Sequence, residues 1–280
     1  MARFGILVDM DRCNGCHACV MACRDEHCGN DHLPYAAAKP YFGSFWMRVS
    51  ERERGNYPHI KTCYYKIPCM HCDDAPCIRE APDKIYKRED GIVIIDPAKA
   101  KCDAHEGKEI QDSCPYGAIY WNDEKGLPQK CTLCAHLLDA GWKEPRCTEV
   151  CPNKGITFGD FDDPNSEVSQ RIKAENAEFL HPEFGLSGSV YFVNMPKRFV
   201  SGSLVFGDTK KSAKKVTVDL VGEDFEAHTV SNGFGDFEFE GLEKNKKFTI
   251  RVRCPGYKDA EVQVATYKDN DIGDIVLEKA

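Results

Sequence analysis

Residues 13–23 read CNGCHACVMAC, and the spacing of the four cysteines in this run decides the fold of the first half of the chain. The spacing is C-x2-C-x2-C-x3-C. Three thiolates at steps of three let one short loop wrap a corner of a cube-shaped four-iron cluster, while the last cysteine of the run crosses to a neighbouring cluster. The run therefore predicts half of two sites, and the remaining ligands must come from distant parts of the chain.

A matching run lies near residue 150, where CTLC is followed after twelve residues by CTEVCP. In two-cluster ferredoxins the last cysteine of each run binds the other cluster. This rule predicts a first site formed by these residues: Cys13, Cys16, Cys19 and Cys151. It predicts a second site formed by these residues: Cys23, Cys131, Cys134 and Cys147.

A second pair of runs lacks a complete set of ligands. The run at 69–82, CMHCDDAPCIREAP, has three cysteines, and Ala81 stands where the crossing cysteine is expected. Its mate is the Cys-Pro at Cys114, and the positions four, seven and ten residues earlier hold no ligand: Ile110, Gly107 and Ala104. Every ligand of a fourth cluster is thus missing, while one full set remains as a third site: Cys69, Cys72, Cys77 and Cys114. The sequence predicts three [4Fe–4S] clusters held by twelve cysteines.

The other cysteines and the nearby histidines are not expected to be ligands, because each site already has four thiols. The cysteines are expected to be small buried or idle groups: Cys28, Cys63, Cys102 and Cys254. Cys102 lies two residues before Ala104, and a shifted loop could bring it near a cluster. The histidines are expected beside the clusters or at the surface: His17, His71 and His136. Zinc is the competing interpretation of the CxxC pairs, but the third cysteine at Cys19 and the Cys-Pro closures favour iron–sulfur clusters.

The chain changes character after about residue 165. Residues 1–165 form the predicted cluster domain, and 166–198 a connector whose helix begins after the N-cap Ser166 and runs to about residue 180. In 199–280 apolar and polar residues alternate, which predicts about seven short strands and a small β-sandwich. The clearest segments are VTVDL (216–220), FEFEGL (237–242), FTIRV (248–252), VQVATY (262–267) and DIVL (274–277).

Composition and motifs exclude several classes of function. The net charge of −8 argues against a nucleic-acid partner. No segment approaches the roughly 20 apolar residues of a membrane span, and the start lacks a leader, so we expect a cytoplasmic protein without direct membrane insertion. Export together with a partner stays open. No phosphate-binding glycine loop, nucleophile elbow or open-site metal set is present, so no catalytic residue is expected in this chain.

The layout of the runs resembles that of the iron–sulfur subunits of the dimethyl sulfoxide reductase superfamily. Members usually have four clusters, and the reciprocal loss described above is a departure from that pattern. The stretches RERGNYP, CMHCDDAPC, KREDGIVIIDP and CPYGAIYWN, together with the C-terminal strands, resemble the small subunits of pyrogallol–phloroglucinol transhydroxylases and catechol dehydroxylases within this family. The resemblance covers essentially the whole chain.

The resemblance implies an α+β chain with two interlocked ferredoxin-like [4Fe–4S] units, followed by an immunoglobulin-like or transthyretin-like sandwich. It implies an anaerobic source and a large catalytic partner that carries Mo or W on bis-molybdopterin guanine dinucleotide. This chain would then be an electron-transfer subunit of a phenol transhydroxylase, a reductive catechol dehydroxylase or another molybdopterin reductase. The alternative is an independent ferredoxin-like carrier. The sandwich and the aromatic segment 33–60, a candidate partner surface, count against it because a free carrier needs only a small contact area.

Overall fold

A computed structural model describes residues 2–280 and divides the chain into two compact units. Unit 1 comprises Met1–Glu51 and Cys63–Met195, and unit 2 comprises Arg52–Thr62 and Pro196–Ala280. These bounds differ from the predicted domains in two places. The segment 166–195, predicted as a connector, packs into unit 1, because its Val168 and Val193 share an apolar cluster with Leu7. A short segment from the first half of the chain belongs to unit 2.

Unit 1 mixes short helices and strands in chain order. They are β1 (Phe4–Asp9), α1 (Ala18–His27), β2 (Arg48–Asn56), β3 (His59–Ile67), α2 (Pro76–Glu80), β4 (Ile85–Lys87), β5 (Val93–Ile95), α3 (Ala104–Asp112), β6 (Ile119–Asn122), β7 (Leu127–Lys130), α4 (Ala135–Asp139), α5 (Arg146–Glu149), β8 (Ile156–Asp160), α6 (Glu167–Ala174), a 3-10 turn (Pro182–Phe184) and β9 (Val190–Val193). The tip of the β2–β3 hairpin is the part of this run that belongs to unit 2.

Strand β1 brings the two ends of the cysteine-rich region together. It pairs antiparallel with β8, with Val8 opposite Ile156, and parallel with β9, with Val8 opposite Phe192. The consecutive apolar residues of FGILVD fit this central position, because such a strand is buried on both faces. The run at 13–23 follows β1 and Cys151 precedes β8, so the pairing places ligands distant in sequence side by side.

The positions of the missing fourth-cluster ligands belong to a regular helix. Ala104, Gly107 and Ile110 all lie on α3, whose N-cap Asp103 accepts hydrogen bonds from the backbone N–H groups of the first turn, at 2.9 Å each. Ile110 is buried, and a Cβ on Gly107 would lie 2.3 Å from a ring carbon of Trp121. The helix packs tightly against β6 in place of a ligand loop.

Unit 2 contains seven strands: β10 (Arg198–Phe206), β11 (Thr217–Val221), β12 (Glu226–Val230), β13 (Asp236–Leu242), β14 (Lys247–Val252), β15 (Ala260–Ala265) and β16 (Asn270–Leu277). They form a three-stranded sheet in the order β13-β10-β16 and a four-stranded sheet in the order β12-β11-β14-β15. Inward residues of both sheets, such as Val200, Leu204, Val218 and Ile250, form one apolar core. The number of strands matches the alternating pattern, although β10 and β12 are not among the segments that the pattern marks most clearly.

Residues Arg52–Thr62 are held to the rest of unit 2 by ion pairs. The guanidinium of Arg54 donates two hydrogen bonds to the carboxylate of Asp269, at 2.9 and 2.8 Å. Nδ1 of His59 lies 2.9 Å from Oδ1 of Asp271, and Lys61 pairs with Glu240. These contacts explain why the segment joins unit 2 despite its sequence position.

The predicted helix of the 166–198 segment is present but shorter than expected. Ser166 caps α6, since its Oγ accepts a hydrogen bond from the Ser169 N–H at 3.2 Å, as the sequence predicts. The helix ends at Ala174 rather than near residue 180. Among residues 2–280, no helix has both the length and the apolar character that crossing a bilayer requires.

Candidate metal centres

The structure brings the four cysteines of the first site around one cavity. The walls of this cavity include these four thiols: Cys13, Cys16, Cys19 and Cys151. Gly15 allows the loop to turn here, because its φ is +70° and a Cβ would lie 2.4 Å from the ring of Tyr64. Burial raises the pKa of the Cys19 thiol from 9.0 to about 11, and the thiols of Cys151 and Cys13 add to the rise.

The third site has the same arrangement in the nested pair of runs. One cavity is lined by these cysteines: Cys69, Cys72, Cys77 and Cys114. Burial, and then the neighbouring thiols, raise the pKa of Cys72 to about 12 and that of Cys77 to about 11. The backbone N–H of His71 points to Sγ of Cys69 at 3.4 Å, a contact suited to a thiolate.

The second site gathers its cysteines from helix α1, the loop before α4, and helix α5. The thiol of Cys147 interacts electrostatically with four others, and the three strongest of these interactions are with the proposed members of this site: Cys134, Cys131 and Cys23. The weakest is with Cys19 of the first site. The loop before α4 turns through two left-handed residues, Leu133 and Cys134, at φ of 52° and 50°. The Leu133 N–H donates to Sγ of Cys131 at 3.3 Å. The contact of α1 with α5 brings Cys23 and Cys147 together.

These donor sets fit iron–sulfur clusters. Each site offers four thiols, the ligand set of a [4Fe–4S] cluster, and backbone N–H groups donate to ligand sulfurs at Cys69, Cys131 and Cys151. The raised pKa values mean that the buried thiols stay protonated unless a cation stabilises the thiolates. Iron bound at these sites would provide that positive charge. The sites therefore suit a metal cluster better than isolated structural thiols.

A histidine cluster borders the second site. The ring of His27 is buried, and its Nε2 lies 3.8 Å from Sγ of Cys134. Around it pack the rings of His32, His136 and Trp46. Nε2 of His136 lies 2.9 Å from a carboxylate oxygen of Glu26. Burial and the neighbouring histidines lower the pKa of His27 well below 6.5, which keeps its ring neutral. Sequence analysis names His136 as a neighbour of the clusters but does not identify His27.

The remaining candidates differ in where they lie. His17 lines the cavity of the first site and Cys28 interacts electrostatically with Cys23, whereas Cys102 and Cys254 lie apart from the three groups of thiols. Cys102 is held by its backbone N–H, which donates to the Gly126 carbonyl at 3.1 Å, and its thiol interacts with Glu106 and Lys84 rather than with other thiols. Cys254 packs against the core of unit 2. Nδ1 of His71 accepts a hydrogen bond from the Val93 N–H at 3.0 Å, so this buried ring orders the loop of the third site.

Three buried lysines near the sites are not identified by the sequence analysis. Lys66 lines the cavity of the first site and Lys130 that of the third. Lys39 interacts electrostatically with thiols of the second site. A signal exists in the sequence: Lys66 and Lys130 each precede a cysteine closely, in KIPC and KC, and Lys39 follows three alanines. Burial is what sets them apart, and the sequence pattern does not reveal it.

Comparisons with known proteins indicate an iron–sulfur protein. The 4Fe-4S dicluster domain family matches residues 60–161. The whole chain is similar to the pyrogallol hydroxytransferase small subunit of Pelobacter acidigallici, with 39% identity covering 99% of this chain and 100% of the relative. It is also similar to a sulfite dehydrogenase subunit of Allochromatium vinosum, with 34% identity over 71% of this chain and 85% of the relative. A putative dimethyl sulfoxide reductase iron-sulfur subunit of Halobacterium salinarum shows 31% identity over 69% of this chain and 80% of the relative.

Proposed function

Because the chain belongs to the family of iron–sulfur electron-transfer subunits of molybdopterin oxidoreductases, we propose that it holds three [4Fe–4S] clusters that connect to a large catalytic partner. The observation that carries the proposal is the grouping of twelve cysteines into three sets of four. When bound, each cluster would supply one-electron redox chemistry. The chain's own residues hold the clusters, exclude water from them and set their electrostatic environment. The active site lies on the partner, which carries Mo or W on bis-molybdopterin guanine dinucleotide.

The proposed ligand sets are the three that both spacing and geometry favour. The first site is Cys13, Cys16, Cys19 and Cys151. The second is Cys23, Cys131, Cys134 and Cys147. The third is Cys69, Cys72, Cys77 and Cys114. No fourth cluster is proposed, because the corresponding positions on α3 carry no ligand side chains and Ile110 is buried in the core.

The proposed substrate class of the complete enzyme is phenolic. The relative similar over its full length is named as the small subunit of a pyrogallol hydroxytransferase. We propose the same activity for the complex that contains this chain: the transfer of a hydroxyl group from one phenol to another. A reductive catechol dehydroxylase is the second candidate, and the other relatives, named for different substrates, show that the same type of subunit also serves unrelated reactions. The chain would work in the cytoplasm, and unit 2 would be a sandwich of the immunoglobulin or transthyretin type.

An apolar surface in unit 1 supports a permanent partner. Four large apolar side chains between residues 33 and 45 are exposed: Leu33, Tyr41, Phe42 and Phe45. Phe42 is 87% exposed. The guanidinium of Arg24 hydrogen-bonds the Tyr41 carbonyl and lies 5.9 Å from the centre of the Phe45 ring, so the segment is ordered against α1. Aromatic residues and Arg are enriched in protein interfaces, and we propose that the large subunit covers this surface.

Anaerobic purification of the native complex tests the proposal. We expect a large molybdopterin chain to co-purify, about twelve irons per small chain, and paramagnetic signals after reduction with dithionite. The complex should convert pyrogallol in the presence of a phenolic acceptor without added reductant. A need for reductant, with net loss of a hydroxyl group from catechols, would favour the dehydroxylase. Elution as a lone chain, or a colourless protein with zinc, would contradict the proposal.

A further inference from the structure

Three lysines are the only cationic side chains buried within residues 2–280. Lys39, Lys66 and Lys130 are 1%, 3% and 2% exposed. Burying an ammonium group is costly unless nearby negative charge compensates it. The hydrogen-bond partners of two of these ammonium groups are backbone carbonyls, and the third has no hydrogen-bond partner among residues 2–280. Neutral carbonyls offset only part of this cost, so each buried lysine calls for an anion close by.

Lys66 belongs to the first site. Its side chain lines the same cavity as the thiols of Cys19 and Cys151, and it interacts electrostatically with Cys19. Its Nζ donates to the Gly155 carbonyl at 3.0 Å, and the Gly155 N–H in turn donates to Sγ of Cys151 at 3.3 Å. The ammonium group is thereby fixed at the wall of the cavity.

Lys130 belongs to the third site. It lines the cavity formed by the four thiols of that site and interacts electrostatically with Cys77 and Cys114, and also with Cys131 of the second site. Its Nζ donates to the Val93 carbonyl and to the Cys131 carbonyl, the latter at 3.1 Å. The two carbonyls hold the ammonium between β5 and the end of β7.

Lys39 belongs to the second site. Its electrostatic partners include the thiols of Cys23 and Cys131, both assigned to that site. Its backbone is fixed, because its N–H donates to the His27 carbonyl at 2.9 Å and its carbonyl accepts from Gly29. Its Nζ is fully buried without a hydrogen-bond partner in the described chain, 5.8 Å from the centre of a Trp46 ring. A buried ammonium group without a hydrogen-bond partner indicates that an anion lies close to it when the site is occupied.

We propose that Lys66, Lys39 and Lys130 are electrostatic positioning residues, one for each cluster, that raise the reduction potential of the first, second and third cluster respectively. The inference rests on the proposed function, because it requires clusters at these sites. A four-iron cluster with four thiolates is an anion, and reduction adds one further negative charge. A fixed ammonium in a medium of low dielectric constant therefore stabilises the reduced form more than the oxidised form. Each lysine should therefore act most strongly on the potential of the cluster whose thiols lie nearest to it.

The test is a redox titration of the native complex, followed by electron paramagnetic resonance, with each lysine changed in turn. Lys66→Met, Lys39→Met and Lys130→Met should each lower the midpoint potential of the cluster beside that lysine more than the potentials of the other two clusters. Lys→Arg at the same positions should keep the potential close to that of the unchanged protein. Lys154→Met is the matched control for Lys66→Met, because Lys154 is exposed three residues after Cys151, where solvent screens its charge.

The outcomes separate this inference from the proposed function. Met variants with all clusters present and unshifted potentials would overturn the inference alone. Where a Met variant fails to assemble its cluster, Lys→Gln, which is polar but neutral, is compared with Lys→Arg. Loss of the cluster in the Gln variant and retention in the Arg variant support the inference, and loss in both overturns it. Absence of four-iron clusters from the unchanged complex would instead contradict the proposed function.

Discussion

At the scale of single residues, burial controls the chemistry of the ligand cysteines. The pKa of Cys131 is raised to about 12, first by burial and then by the thiols of Cys23 and Cys69. Such a thiol is neutral at physiological pH and becomes a thiolate only when a metal binds. Each site is therefore expected to assemble as a unit of four, and removal of one ligand should affect the other three at the same site.

Replacement of Cys114 tests this behaviour at the third site. Cys114→Ser should remove or damage the third cluster only, so that the iron content falls from about twelve towards about eight per chain. Cys254→Ser is the matched control, since Cys254 packs in the core of unit 2 and should not alter the iron content. Iron analysis together with the count of paramagnetic signals measures both. An equal loss in the two variants would contradict the assignment of Cys114.

Adjacent cysteines of one run should belong to different clusters. Cys19 and Cys23 are both buried and are separated by one turn of α1, yet Cys19 interacts with Cys151 and Cys23 lies with Cys134 and Cys147. Cys19→Ser should therefore damage the first cluster and Cys23→Ser the second. Redox titration distinguishes them, because each variant should lose a different signal. If both variants lost the same signal, the crossing of ligands between the runs would be wrong.

At the scale of elements, a single hydroxyl fixes the start of α6. Oγ of Ser166 accepts from the Ser169 N–H and donates to the Asp160 carbonyl, at 3.2 and 2.5 Å. Loss of an N-cap side chain costs about 1 kcal/mol of helix stability. Ser166→Ala should therefore speed hydrogen exchange in the first turn of Glu167–Ala174 by about fivefold. Ser166→Asp should keep the exchange slow, because Asp is an equally good N-cap, and equal exchange in both variants would contradict the role of the hydroxyl.

The hairpin tip in unit 2 should respond to acid. Burial alone raises the pKa of the Asp269 carboxyl, but the hydrogen bonds and charge of Arg54, with the Phe199 N–H and Arg198, outweigh it and lower the pKa below 3.8. A carboxyl with a lowered folded-state pKa stabilises the protein above its unfolded-state pKa, and the effect disappears as the pH falls through the folded-state value. Asp269→Asn should cost unit 2 about 2 kcal/mol above pH of about 5.

The difference between Asp269→Asn and the unchanged chain should shrink as the pH falls below 3.8. Hydrogen exchange of the β10 and β16 amides in urea, corrected for the intrinsic pH dependence of exchange, measures it. Asp259→Asn is a suitable control, because that carboxylate is exposed and makes only a long contact with Arg253, at 3.9 Å. A difference that is constant down to pH of about 2 would contradict the role of the Asp269 charge.

At the scale of the whole chain, the part of the fold that could be predicted is the part that depends on local pattern. Period-two alternation marks most strands of unit 2, and Ser166 marks the start of a helix. Cysteine spacing indicates the ligand groups, because a four-iron cluster imposes its own geometry on the loops around it. The remainder depends on contacts between residues distant in sequence. Arg54 joins unit 2 through Asp269, and the buried lysines lie in segments that look like ordinary loops.

Helix α3 is a single element that the sequence pattern alone does not predict. Counting back from Cys114 reveals that ligands are missing, but it does not reveal what replaces them. A capped helix forms there because Asp103 satisfies its first N–H groups and Gly107 lets Trp121 approach its backbone. Asp103 and Gly107 are not part of an apolar repeat, and such a repeat is the pattern from which a helix is usually predicted. The sequence alone therefore does not predict the helix at the positions of the missing ligands, because the helix depends on its packing against β6.

Removal of iron should affect the two units differently. The core of unit 1 includes ligand cysteines such as Cys19, Cys69 and Cys147 beside residues such as Ile85 and Ile110, so its packing depends on what those thiols bind. The core of unit 2 contains none of the twelve ligands. Metal binding contributes folding free energy where ligands form part of the core, and loss of the clusters would also leave the charge of Lys39 buried without compensation.

Anoxic chelation of iron from the isolated chain should therefore unfold unit 1 and open its backbone amides to solvent, while unit 2 stays folded. Hydrogen exchange should rise by orders of magnitude in β5, α4 and α5, and remain within about twofold of its starting value in β11 and β14. Mock treatment without chelator is the control, and reconstitution with iron and sulfide should restore the protection. A uniform rise in both units would mean that the sandwich depends on the clusters, and no rise in either would mean that the cysteine-rich core is stable without them.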